Sequence, residues 1–240
     1  MSFSPEIRAL LALNLLPDLG PIRIAALLEH FGSAVAVLQV PPAQLSQVSQ
    51  ISDRLADKLT AALRRVNVDE EVELLAKHQT HLRVLGTPEY PPALATIVSA
   101  PHLLYARGTI EPRDGNAVSL VGSRDCTTYG KRVAERLARD LARAGWTVIS
   151  GLARGIDGMA HRGALEAGGR TLAVMAGGLS KIYPPEHAGL SREVEAAGAL
   201  LSEAPMKQSP LPGMFPARNR LISGLSRAVV IIEANEKAGR

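Results

Sequence analysis

The chain has 240 residues, 46% of them hydrophobic and 21% charged, and a net charge of +4. That balance excludes a disordered chain and supports one large domain, or one medium and one small. A single cysteine (Cys126), no basic-then-apolar leader after Met1 and no apolar run of about 18 residues exclude an internal disulfide, a signal segment and a membrane span, so a cytoplasmic protein is expected.

Residues 5–66 read as all-helical. Ile7, Leu10, Leu11 and Leu15 keep helical spacing up to Pro17. Pro17-Asp18-Leu19-Gly20-Pro21 is a turn, Ile22–His30 a second helix, and Phe31-Gly32-Ser33 breaks it. A short helix begins at Ala34, Pro41-Pro42 opens another that includes Leu45, and Ser52 or Asp53 caps a last one to Leu63. The pattern places a domain boundary at 66/67. Residues 67–116 begin with an acidic amphipathic helix, Val68–His78, then short strands at Leu82–Leu85 and Leu103–Ala106. A helix-like stretch starts at Tyr90-Pro91-Pro92.

From residue 117 strands and helices alternate. The strands are Ala117–Val121, Thr147–Ile149, Thr171–Ala176, Ala199–Leu201 and Ala228–Glu233; helices fall near 129–144, 156–167, 187–197 and 217–223. Near-continuously apolar strands separated by helices imply an α/β fold, a parallel sheet covered on both faces. Right-handed crossovers place every strand's carboxyl end on one edge, where such sheets bind ligands. Five turns are predicted to converge there: Gly122-Ser123-Arg124, Ser150–Asp157, Gly177-Gly178, Ser202-Glu203 and Glu233–Glu236.

Those turns carry the candidate chemistry. Of the 27 cations, 21 are arginine, and residues 117–240 carry a net +6; the guanidinium fork suits phosphate. Gly122-Ser123-Arg124 stands where a dinucleotide-binding GxGxxG would be expected, and there is no Walker A sequence. Its backbone amides and Ser123 can cradle a phosphate with Arg124 as partner, or form a capped tight turn. In Ser150–Asp157, Gly151 and Gly155 loosen a turn that presents Arg154 at a helix start. At Phe215-Pro216-Ala217-Arg218-Asn219-Arg220 two readings stand open. A base stacks on Phe215 while arginines hold phosphates, or Phe215 is buried and the arginines pair with Glu203 or Glu233. Tyr183 is a second stacking candidate or, equally, a packed loop residue. Arg132, Arg136, Arg139 and Arg143 share one helix face, a basic track or a solvated surface, beside a buried stripe of Val133, Leu137, Leu141 and Ala144. Asp157 and His161 are spaced to pair on one helix face. Ser150 lacks a nucleophile elbow, Cys126 an activating base, and no ligand spacing suits a metal.

Taken in order, several of these motifs resemble the DNA-processing protein A family (DprA/Smf). They are Tyr90-Pro91-Pro92, Val121-Gly122-Ser123-Arg124, Tyr129-Gly130, Ser150–Asp157 with His161, Tyr183-Pro184, Ser202-Glu203, Phe215-Pro216 and Arg218-Asn219-Arg220. The resemblance implies an extended Rossmann-like fold and a bacterial protein that binds single-stranded DNA without cutting it. Such a protein shields incoming transforming DNA, helps load the RecA recombinase and pairs as a homodimer, with no catalytic residues, cofactor or metal. Carried over, the DNA pocket comprises Gly122, Ser123, Arg124, Phe215, Arg218, Asn219 and Arg220, with Gly151, Arg154 and Gly155 lining or shaping it. Family members continue past the last strand, so a chain truncated at its C-terminus is expected. Residues 15–32 and 46–59 resemble paired helix-hairpin-helix modules in which Asp18, Gln50 and Ser52 replace usual glycines, a degenerate form. A nucleotide-binding or nucleotide-hydrolysing enzyme, with Asp157–His161 and Glu203 as acid/base candidates, and a pure protein-interaction scaffold are the alternatives.

Overall fold

Helix α1 (Pro5–Asn14) starts where Ser4 accepts the amide of Ile7 and Pro5 fills the first position. Pro21 opens α2 (Pro21–Phe31), which Gly32 closes at φ 81°. Then come α3 (Ala34–Gln39), α4 (Pro42–Leu45) and α5 (Asp53–Leu63), the last capped by the Ser52 hydroxyl. The computed structural model describes residues 3–234. In the two hairpin turns Asp18 and Gln50 take left-handed φ of 62° and 70°, the conformation for which glycine is the low-strain choice. Arg23 ties the turns together: Nη1 donates to Asp18 O (2.6 Å) and Nε to Gln50 O (3.2 Å). Lys58 pairs with the Asp18 carboxylate.

After α6 (Val68–Lys77) come β1 (Thr80–Val84), α7 (Pro92–Ala95), β2 (Leu103–Gly108) and β3 (Ala117–Gly122). The alternating part continues with α8 (Thr128–Arg143), β4 (Thr147–Ser150), α9 (Ile156–Glu166), β5 (Thr171–Val174) and α10 (Ala188–Ala197). It closes with β6 (Ala199–Ser202), α11 (Met214–Gly224) and β7 (Ala228–Ile232). The sheet order is β1-β2-β6-β5-β4-β3-β7. From β6 to β7 all pairings are parallel, whereas β2 runs antiparallel to both β1 and β6. The strands from residue 117 are parallel as expected, and the two earlier strands extend this Rossmann-like sheet in antiparallel pairing on the β6 side. The chain steps outward from β3 to β6 and then returns to β7 beside β3, so a crevice opens at the carboxyl ends near β3.

Period-two alternation splits the core. Leu172 and Val174 pack with Leu221 and Ile222 of α11, while Ala173 between them joins Leu190 and Val194 of α10 on the other face. Helices α8 and α9 cover Val118, Leu120 and Val148. The buried stripe of α8 is Gly130, Ala134, Ala138 and Ala142. The predicted Val133, Leu137 and Leu141 are only half-buried and Ala144 is exposed, because small residues let α9 approach: a Cβ on Gly163 would lie 2.1 Å from Glu135 O.

One core spans the predicted boundary at 66/67, running from Leu11 and Leu27 through Leu75 to Leu103, Tyr105 and Leu200. Asn14 Nδ2 donates to the Tyr105 hydroxyl (3.3 Å) and to Glu203 O (3.4 Å). Buried Glu71 accepts from Met206 N (2.8 Å), and burial pushes its carboxyl up. Among the described residues no helix is long and apolar enough to cross a membrane.

Candidate nucleic-acid interface

Gly122 ends β3 flush against β7, where a Cβ would lie 1.9 Å from Ile232 O. Beyond it, Ser123 N donates to Glu233 O (2.9 Å). The Glu233 carboxylate accepts from Thr127 N and from the Thr127 hydroxyl, each at 2.7 Å. That hydroxyl in turn accepts from Gly130 N (3.0 Å), capping α8. The latch anchors the loop that carries Arg124. The β4–α9 loop presses on it: Gly155 sits at φ 72°, and a Cβ there would lie 2.3 Å from Ser123 O.

These loops wall a cleft at the carboxyl edge. Arg124, Arg154, Lys181 and Arg218 line it, with Tyr183, Phe215 and Pro210 as apolar walls and Gly151, Gly177 and Gly178 below. The Arg124 guanidinium carbon lies 4.3 Å from the centre of the Phe215 ring. The Tyr183 ring stands 6.0 Å from Phe215, tilted by 56°, and is 43% exposed. Arg154 is exposed and pairs with Glu186.

Arg218 differs from its neighbours. It is 5% exposed. Its Nη1 donates to Gly151 O (2.8 Å) and to Val174 O, and Nε to Asn219 Oδ1 (3.2 Å). It thereby clamps the ends of β4 and β5 while one side faces the cleft. Asp157 is its counter-charge; Oδ2 accepts from Gly151 N (3.2 Å) and Ala153 N (3.3 Å). Burial pushes the Asp157 carboxyl up and the Arg218 guanidinium down, each opposed by the other's charge.

The structure thus sorts the predicted residues. Arg124, Gly151, Arg154, Phe215 and Arg218 line the cleft. Gly122, Ser123 and Gly155 form its back, the Ser123 hydroxyl accepting from Asp125 N (3.2 Å). Asn219 is exposed outside it, and Arg220 points away to an ion pair with Glu203, whose carboxyl burial pushes up. The glycines bring protein against protein, where the sequence reading also allowed ligand.

Other expectations are corrected. Asp157 and His161 do not pair, because Asp157 holds loop amides and His161 reaches β5. The Thr171 hydroxyl donates to Val148 O (2.8 Å) and accepts from His161 Nδ1 (2.7 Å), leaving buried Nε2 without a partner among the described residues. Burial lowers the His161 pKa to about 3. Arg218 pairs with neither Glu203 nor Glu233. The Ser202-Glu203 turn lies off the cleft, and the Glu233 turn supports it from behind; Asn235 and Glu236 lie outside the described residues. On α8, Arg139 pairs with Glu135 (3.1 Å) and Glu166, and Arg136 lies 3.8 Å from Asp140. The Ser150 hydroxyl is buried and donates to Leu120 O (2.6 Å). Among the described residues no His, Cys, Asp and Glu group could hold a metal. Sequence reasoning missed Lys181; its one signal was its place just after the Gly177-Gly178 turn.

A family model described as DNA recombination-mediator protein A matches residues 81–240. A Smf protein of Synechocystis is 35% identical over 233 residues, 95% of this chain and 58% of its own. The DNA processing protein DprA of Bacillus subtilis is 41% identical over 156 residues, 65% of this chain and 52% of its own. The chain therefore spans little more than half the length of these curated relatives. The structure of DNA processing protein A from Streptococcus pneumoniae matches with a TM-score of 0.80 at 28% identity, covering 100% of this chain and 81% of that one. That of Helicobacter pylori DNA processing protein A, reported for its single-stranded DNA binding mode, matches with a TM-score of 0.60 at 33% identity, covering 67% and 72%. On the match over residues 81–240 and the Synechocystis relative, this chain belongs to the DNA recombination-mediator protein A family.

Proposed function

We propose that the carboxyl-edge cleft binds single-stranded DNA, with Arg124, Arg154 and Lys181 on phosphates and Phe215 and Tyr183 stacking on bases. The observation that carries this reading is the convergence of four cations on one aromatic pair in one cleft. That pairing of charge and stacking surface suits a flexible strand whose bases are free to splay. Binding by the H. pylori relative supports it. In this reading the protein is cytoplasmic, holds the strand without catalysis or cofactor during DNA processing for transformation, and acts as a homodimer that passes the strand to RecA. Residues 1–66, packed on the sheet through a shared core, serve contacts with protein or weak contacts with DNA, since Arg23 and Lys58 of their hairpins are already engaged within them.

The test is binding of fluorescent single- and double-stranded oligonucleotides across a salt series. A single-strand preference with steep salt dependence is expected. Equal affinity for duplex, or binding unaffected by salt, overturns the reading. Nucleotide turnover abolished by Glu203→Gln would replace it with an enzyme.

A further inference from the structure

A second basic channel runs along the outer side of α10, away from the residues discussed so far. Lys77 and His78 of the α6 end, Arg107 of β2, and Arg192 and Glu195 of α10 line it, with Ile182 at its upper rim. The one carboxylate on its wall, Glu195, lies 2.9 Å from Arg107 Nε, so that pair cancels internally. Lys77 and Arg192 are exposed and have no ion-pair partner among the described residues. The channel continues past Gln79 and His81 to the amino edge of the sheet.

A single short segment, residues 181–183, borders both this channel and the cleft. Lys181 and Tyr183 line the cleft, and Ile182 between them lines the channel. Because α10 begins at the carboxyl edge and runs to the amino edge, the channel leads away from the cleft over about 15 Å. A polyanion leaving the cleft over Lys181 meets Arg192 and Lys77 next.

We propose that the α6–α10 channel holds the sugar–phosphate backbone of the same strand where it leaves the cleft, extending the footprint down the side of the sheet. This rests on the single-strand reading of the cleft. The channel carries cations but no Phe, Tyr or Trp ring, so it contacts chiefly phosphates and is indifferent to sequence.

The experiment compares oligothymidines of about 6 and about 30 nucleotides on the full chain carrying both Lys77→Glu and Arg192→Glu. Both side chains are exposed, and circular dichroism verifies the fold. The long strand is expected to lose about tenfold or more in affinity, with the slope of log affinity against log salt reduced by about 1.4 for two phosphate contacts. The short strand, held in the cleft alone, keeps its affinity. Unchanged affinity and salt slope for the long strand overturn the channel proposal, as does an equal loss for both lengths. Arg124→Ala is the control: if the short strand ignores that change, the cleft reading fails, and the channel is then judged by the long strand alone.

Discussion

The Arg124 guanidinium lies over the Phe215 ring at 4.3 Å, so the cleft's first cation and its stacking surface are held together before any ligand arrives. Phe215→Ala therefore removes a base platform and frees Arg124 at once. A loss of about 10- to 100-fold in single-strand affinity is expected from the stacking term, with a small change in salt slope. Arg124→Ala is expected to lower that slope by about 0.7. Fluorescence anisotropy at four or five salt concentrations separates the two. Identical slopes in both variants would mean that Arg124 touches no phosphate.

Arg218 is expected to answer in stability. Its removal leaves Asp157 buried without its counter-charge and two carbonyl groups without their donor. Arg218→Ala should cost about 3–5 kcal/mol in urea unfolding. Asp157→Asn keeps an acceptor for the loop amides and should cost less. An Arg218→Ala protein as stable as the parent would show that the clamp is dispensable.

Gly155→Ala is expected to destabilise by about 1–3 kcal/mol, since it places a methyl group on Ser123 O at a backbone angle that alanine rarely adopts. Gly189→Ala, where the added methyl meets open space within α10, should be neutral or mildly stabilising. Thermal melts of the two variants provide the comparison, and equal melting temperatures would contradict it.

His161 sets a pH dependence. Its pKa is about 3 in the fold and about 6.5 in the unfolded chain. Between those values the unfolded chain binds the extra proton, so this histidine's contribution is fully present above about pH 6.5. It is lost as pH falls toward 3, by up to about 1.4 kcal/mol per unit. Buried Glu71 and Asp157 and half-buried Glu203, all with raised carboxyls, pull the other way. The measurement is accordingly a difference: stability between pH 6.5 and 4.5 should fall less steeply in His161→Asn, which can keep the Thr171 hydrogen bond. Parallel curves would place the proton elsewhere.

Local patterns made most of the elements legible. Prolines at first helical positions, Ser52 as a cap, and apolar runs from Val118 to Ile232 leave boundaries within a few residues of those observed. The parallel register also makes the carboxyl-edge cleft readable, because topology alone gathers Arg124, Arg154 and the Gly177 turn. What stayed hidden depends on side-chain direction. Arg218 and Arg220 are two residues apart on α11, so they face opposite sides, one into the clamp and one to Glu203. Asp157 and His161 have the right spacing to meet, yet stronger partners draw them apart: two loop amides for one, Thr171 for the other. Lys181 lies in an irregular segment, where no periodicity announces which way it points.

Glu233 follows the last described strand, yet it orders the loop after the first strand of the alternating part. A chain emerging from the ribosome would have made β3, α8 and most of the cleft long before this carboxylate appeared. Until β7 slots in beside β3, Thr127 lacks its acceptor and the Arg124 loop has nothing to brace it. In that order of synthesis the cleft wall that carries Arg124 is braced only once β7 has joined β3 and brought Glu233 to Thr127.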